Sequence, residues 1–140
     1  MGELTYSLFK SLVNQGSLEE QHKIRVLTDI IKKYVDEKDI LEVYPKGLFV
    51  EEIIQIMVFK RDSMLTIATN GEYTKIQSFK YSNLFAVELI QSEQDNAKKS
   101  IMIKFKDESI FLQSDADTIQ SWSDRFADNI SRIFKLILAS

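Results

Sequence analysis

The sequence has no cysteine, one proline, four glycines and one histidine among its 140 residues. Without thiols, disulfides, thiolate metal sites and cysteine nucleophiles are excluded, and a cytoplasmic setting is favoured. Scarce proline and glycine, set against 44% apolar and 28% charged residues, exclude a linker or a disordered tail. No window approaches eighteen uninterrupted apolar residues, so no membrane span is expected. The net charge of −3 argues against nucleic-acid binding, which needs a dense basic face. Gly2 opens a myristoylation-like pattern, but that pattern wants Ser or Thr at position 6, where Tyr6 stands. Membrane contact is left only as a weak surface interaction.

What is present reads as one domain, 1–140, in three parts. In the first, residues 1–38, Leu4, Leu8 and Leu12 with Phe9 and Val13 have helical spacing that stops at "NQGS". Gly16 there is suited to a left-handed helix end. Ser17 and Glu20 have capping-box spacing, and Ile24, Leu27, Ile31, Tyr34 and Val35 make a second apolar stripe. A helical hairpin is expected, its apolar face packed on a sheet of its own chain or of a second copy. In the second part, 39–114, β-branched and aromatic runs alternate with turn residues: "ILEVYPKGLFVEE", "IIQIMVF", "MLTIAT", "TKIQSF", "NLFAVELIQ", "IMIKFK" and "IFLQS". Asn70-Gly71 is the pair most suited to a tight primed hairpin turn. No helical stretch intervenes, so six or seven strands should form an antiparallel meander. The third part, 115–140, carries Ile119, Trp122, Phe126, Ile130, Ile133, Phe134 and Ile137, the stripe of a long amphipathic helix with Trp122 and Phe126 in the core. The fold class is α+β.

The stretch "IFLQSDADTIQSW" places Asp115-Ala116-Asp117-Thr118 after a strand, where it resembles the D-x-D-x-T nucleophile segment of haloacid-dehalogenase-like enzymes. That chemistry needs a parallel sheet behind it and a later lysine and acidic magnesium loop, yet 22 residues follow Thr118 and all fit one helix. Ser114, Asp115 and Asp117 are therefore read as helix caps. His22 has no triad partner beside it, and the pairs Glu19-Glu20 and Glu51-Glu52 and the run Asp36-Glu37-Asp39 lack the spacing of a calcium loop. Phosphate-loop, dinucleotide, nucleophile-elbow and zinc-protease motifs do not occur. No enzyme, cofactor or metal is expected. Basic residues gather at Lys32-Lys33, Lys60-Arg61, Lys98-Lys99 and on the wet strand face with Lys104 and Lys106, and the ligand or partner contacts picked from them are Lys60, Arg61, Lys98 and Lys99.

The order of elements, a meander of about seven strands and then one long amphipathic helix, resembles the pleckstrin-homology-like superfold. "FKYSNLFAVEL", "IMIKFKDESIFLQS" and "IQSWSDRFADNI" are similar to the corresponding strand, strand pair and early-tryptophan helix of bacterial members. The chain also resembles small uncharacterised proteins of Bacillus-like bacteria and their phages. The resemblance implies a barrel-like antiparallel sheet and a non-catalytic module for a protein partner, with a homo-oligomer left open. It implies too that a lipid-binding loop would lie between the first two strands, which "FKRDSM" is taken to match, with basic residues too few for a phosphoinositide site. The alternative is a helix-grip fold, with an apolar ligand cavity lined by Phe105, Phe111 and Phe126.

Overall fold

The computed structural model describes residues 3–51 and 53–140. Gly2, and with it the lipidation pattern, and Glu52 lie outside the described residues.

Helix α1 spans Tyr6–Ser11, its start capped by Thr5, whose hydroxyl accepts from the Leu8 N–H at 3.1 Å. A 3₁₀ turn at Leu12–Asn14 follows, Gly16 takes φ +79°, and Ser17 Oγ accepts from the Glu20 N–H at 3.1 Å to open α2, Leu18–Tyr34. Glu19 and Glu20 in the first turn of α2, with Lys32 and Lys33 in the last, complement the helix dipole. Ile24, Leu27 and Ile31 are buried, but Tyr34 is 60% exposed and lies under the Lys33 ammonium. The helix ends there, and Val35 turns inward in its place.

Among the described residues seven strands come next: β1 Glu42–Lys46, β2 Gln55–Phe59, β3 Ser63–Thr69, β4 Thr74–Lys80, β5 Leu84–Gln91, β6 Lys99–Phe105 and β7 Ser109–Gln113. The meander divides into a four-stranded sheet, β1-β2-β3-β4, and a three-stranded sheet, β5-β6-β7, all pairs antiparallel. The Asn70 turn is displaced by one residue from the expected position. The Asn70 N–H donates to the Tyr73 carbonyl, so the loop centres on Gly71-Glu72. Gly71 supplies the positive φ of 91°, while the Asn70 carboxamide oxygen accepts from the N–H groups of Glu72 and Tyr73.

The register sorts the four-stranded sheet into two faces. Tyr44, Met57, Phe59 and Met64 lie on one, Val43, Ile56, Val58 and Ile67 on the other, and all are buried. The first face meets the C-terminal helix, with the Tyr44 and Phe126 rings edge-on at 5.0 Å. The second belongs to one apolar cluster with Phe9, Leu12, Leu27 and Ile31, so the helical hairpin roofs the outer face of its own chain's sheet. In the three-stranded sheet only one face is dry: Ile101, Ile103, Phe105, Ile110 and Leu112 point in, while Met102, Lys104 and Phe111 point out.

Helix α3, Ser123–Ala139, starts later than its periodicity suggested. A 3₁₀ turn at Gln120–Trp122 precedes it, Ile119 is 38% exposed, and no side chain caps the helix. Trp122 is half-buried against Phe49 at 5.3 Å, with the Arg125 guanidinium over its ring, whereas Phe126 is fully buried. Arg132 ties the later turns down, bonding Glu42 through Nε at 2.9 Å and the Leu4 carbonyl at 3.0 Å.

Candidate functional site

The D-A-D-T segment neither caps α3 nor faces a cleft; it is a turn that seams the two sheets. Ser114 Oγ accepts from the Lys99 N–H and donates to the Ala97 carbonyl. Asp117, 6% exposed, accepts from the Gln113 N–H at 2.7 Å and from the Tyr44 hydroxyl at 2.8 Å, and its carbonyl accepts from the Gly47 N–H. Thr118 donates to the Leu48 carbonyl. Ser114 and Asp117 are thus spent far from the helix start, and Asp115 stands exposed. Burial pushes the Asp117 carboxyl above its ordinary range, against the pull of those two donors. Burial, with the Asp117 charge beside it, likewise pushes the Tyr44 phenol well above its ordinary value.

The four candidate basic residues do not converge. "FKRDSM" joins β2 to β3, while the loop between the first two strands is "GLFVEEII", whose charged residues are Glu51 and Glu52. The match expected from sequence is displaced by one strand, because the Pro-Lys-Gly turn reads as a break within the first strand. Lys60 and Arg61 lie beside Tyr81, which donates through its hydroxyl to the Lys60 carbonyl, at the start of β5. Lys98 precedes β6 and Lys99 opens it opposite Gln91, the last residue of β5, and Lys99 Nζ is held by Ser131 of α3 at 2.7 Å. A full strand length separates the two pairs. His22 is exposed on the rim of a groove of about 580 Å³ floored by Val26, Leu27, Ile53 and Ile54, beside Lys23, which pairs with Glu19 and Glu20. Among the described residues no three His, Asp or Glu side chains gather as a metal site.

The sheet edges give a sharper picture. On β1, the Val43 carbonyl accepts from Asn129 of α3, Pro45 has no N–H to leave free, and the Gly47 N–H goes to Asp117. On β7, the Phe111 carbonyl accepts from Lys46 Nζ and the Gln113 N–H bonds Asp117. On β4 the situation differs. Hydrogen-bonded pairs at Asn70–Tyr73 and at Asp62–Tyr81 bracket its pairing with β3. The antiparallel alternation between them turns the N–H and C=O groups of Thr74, Ile76, Ser78 and Lys80 away from the sheet. The Lys80 carbonyl caps the 3₁₀ turn Tyr81–Asn83 that follows, while among the described residues no hydrogen bond reaches the outward N–H groups or the carbonyls of Thr74, Ile76 and Ser78. β5 also turns groups outward, but a register shift between Leu84 and Ala86 breaks its start. Along the lower half of β4 runs a groove of about 710 Å³ lined by Ser78, Phe79, Lys80, Asn83, Phe105 and the Lys106–Glu108 turn. The Phe79 and Phe105 rings stack at 4.8 Å beside it, and Gln77 donates to Glu108 at 3.1 Å above it. Sequence offers no hint of this edge, because openness depends on which strands the other elements cover.

Two antiparallel sheets closed by a C-terminal helix make the pleckstrin-homology-like fold, here with a helical hairpin added. The chain belongs to the family described as protein of unknown function DUF3908, whose model matches residues 13–128. In structure it is similar to a DUF1696 family protein with a pleckstrin-homology domain from Shewanella loihica PV-4, with a TM-score of 0.53 at 11% identity over 82% of this chain and 90% of that one. It is also similar to a pleckstrin-homology domain from Shewanella amazonensis SB2B, with a TM-score of 0.47 at 10% identity over 93% and 94%. No curated protein matches the chain. Among the described residues no helix is long and apolar enough to cross a membrane.

Proposed function

We propose that the chain, working as a single unit, is a non-catalytic pleckstrin-homology-like module that holds a protein partner in extended form along β4. The observation that carries the reading is the edge itself: seven residues in unbroken register, with outward backbone groups at Thr74, Ile76, Ser78 and Lys80. A strand added there gains main-chain hydrogen bonds, and its alternate side chains reach the groove beside Phe79 and Phe105. The helix-grip alternative loses support, because its lining residues do not meet. Phe126 is buried against Tyr44, Phe105 stacks on Phe79, and Phe111 is on the outer face of its sheet. A membrane or nucleic-acid partner draws no support from a first interstrand loop without lysine or arginine.

The test is selection of extended peptides from a displayed library against the intact protein and its Ser78→Pro variant. Proline at an outward edge position removes a hydrogen-bond donor without breaking the β3 ladder. Peptides that bind the parent, fail on the variant and protect the β4 outward amides support the reading. Peptides that bind both equally, or protect other amides, overturn it.

A further inference from the structure

The β4 edge also accommodates a second copy of itself. Paired antiparallel with itself about Gln77, the segment "TKIQSFK" sets Thr74 opposite Lys80 of a second copy, and Ile76 opposite Ser78. In that register all four outward-facing residues of each strand meet outward-facing residues of the other, so every outward N–H, and every outward C=O but that of Lys80, which caps the turn after β4, finds a mate. Sliding by one residue opposes outward groups to inward ones, and sliding by two leaves part of each edge unpaired.

The side chains agree with the register. Lys75 falls opposite Phe79 and Lys80 opposite Thr74, so no lysine faces a lysine, although lysines on an edge ordinarily repel such pairing. Gln77 faces its own copy across the axis. The same arrangement brings the end of β4 carrying Tyr73, 74% exposed, beside the partner's end that leads to Phe85, 81% exposed. Tyr73 stands just before β4, and Phe85 lies in β5 just after the turn that leaves β4, so both bare side chains flank the edge.

We infer that β4 pairs with β4 of a second copy of this chain, antiparallel about Gln77, joining two four-stranded sheets into one continuous sheet. The inference rests on the proposed edge binding and names its occupant. A twofold, self-complementary contact of this kind closes on itself and does not propagate.

The experiment combines sedimentation equilibrium with residue-resolved hydrogen exchange across a concentration series. The expected result is a monomer–dimer equilibrium in which Thr74, Ile76, Ser78 and Lys80 amides become protected as dimer forms. Thr74 is exposed, so its variants leave the fold intact and test the register. Thr74→Lys sets like charges opposite each other twice per dimer and should weaken the dimer about 2- to 30-fold at low salt, while Thr74→Glu should tighten it by a comparable factor. Ile76→Pro should leave only monomer. A dimer indifferent to all three variants, or one protecting β5 amides in place of β4, overturns the inference. A strict monomer whose β4 still captures library peptides overturns the second-copy assignment and leaves the edge reading standing. A strict monomer that captures none overturns both.

Discussion

The two sheets of this molecule are built from strands of similar length and end in different circumstances. The β1–β2 half of the four-stranded sheet is dry on both faces, with the barrel interior on one side and the helical hairpin on the other, and the cover thins across β3 to the exposed β4. The three-stranded sheet is dry on one face and wet on the other, where Met102, Lys104 and Phe111 lie. The difference is written in the strands: β2 reads Gln-Ile-Met-Val-Phe, a continuous apolar run, whereas β6 reads Lys-Ser-Ile-Met-Ile-Lys-Phe, alternating toward its end. Where a sheet is clad on both faces, a partner meets it only beyond that cladding, toward an edge. With β1 closed by α3, that edge is β4.

The contrast makes graded predictions. Truncation should be most costly where the two-faced sheet meets its cover. Phe126→Ala, under Tyr44, should cost about 3–5 kcal/mol, and Ile56→Ala, under the hairpin, about 2–5 kcal/mol. Met102→Ala, on the wet face, should cost far less, about 0.5 kcal/mol as for ordinary surface changes. Equal denaturation midpoints for Ile56→Ala and Met102→Ala would dissolve the contrast.

Next comes the seam. Tyr44→Phe leaves the buried Asp117 short of one donor and should cost about 1–3 kcal/mol. It also has a pH signature. A tyrosine held above its ordinary pKa contributes stability that is fully present below pH ~10 and is lost as the unfolded chain ionises above it, at about 1.4 kcal/mol per pH unit. Tyr44 and Tyr81 are both raised, mainly by burial, so urea midpoints should fall steeply above pH ~10. In Tyr44→Phe the slope should be shallower by one tyrosine's worth, and an unchanged slope would place the phenol in water.

The smallest effects belong to the helix starts. Ser17→Ala should cost about 1 kcal/mol by removing the acceptor for the Glu20 N–H, while Asp115→Ala, exposed and distant from the start of α3, should be near neutral. The reverse order in thermal melts would restore the helix-cap reading of the D-A-D-T segment.

That segment shows where sequence reasoning stops. Ser, Asp and Thr cap helices and build turns by the same means, a side-chain oxygen accepting a nearby N–H, so their presence before an apolar stripe suits either outcome. The choice was made by Tyr44, 73 residues away in sequence, whose hydroxyl needs a buried acceptor. The hairpin, the Ser17 cap, the seven strands and the C-terminal helix were legible because each is a local period or a local cap. Tyr34 matched the α2 stripe in spacing and still lies outside, because periodicity fixes a direction and not where the neighbouring sheet ends. The loop after β2 passes in sequence for the first interstrand loop because "VYPKG" reads as a turn, although Pro45 sits within a paired strand at an edge that needs no donor from it. The β4 edge was invisible for a related reason: an open edge is a statement about what the rest of the chain does not cover.

The most direct test of the account is amide hydrogen exchange along β4 in dilute protein. Lys75, Gln77 and Phe79, bonded to β3, should exchange slowly, while Ile76, Ser78 and Lys80 should exchange near the rate of a free strand, giving a two-residue alternation. That alternation should vanish when a strand is added to the edge. Uniform protection along β4 in the dilute monomer would show that the edge is already covered, and would contradict the account.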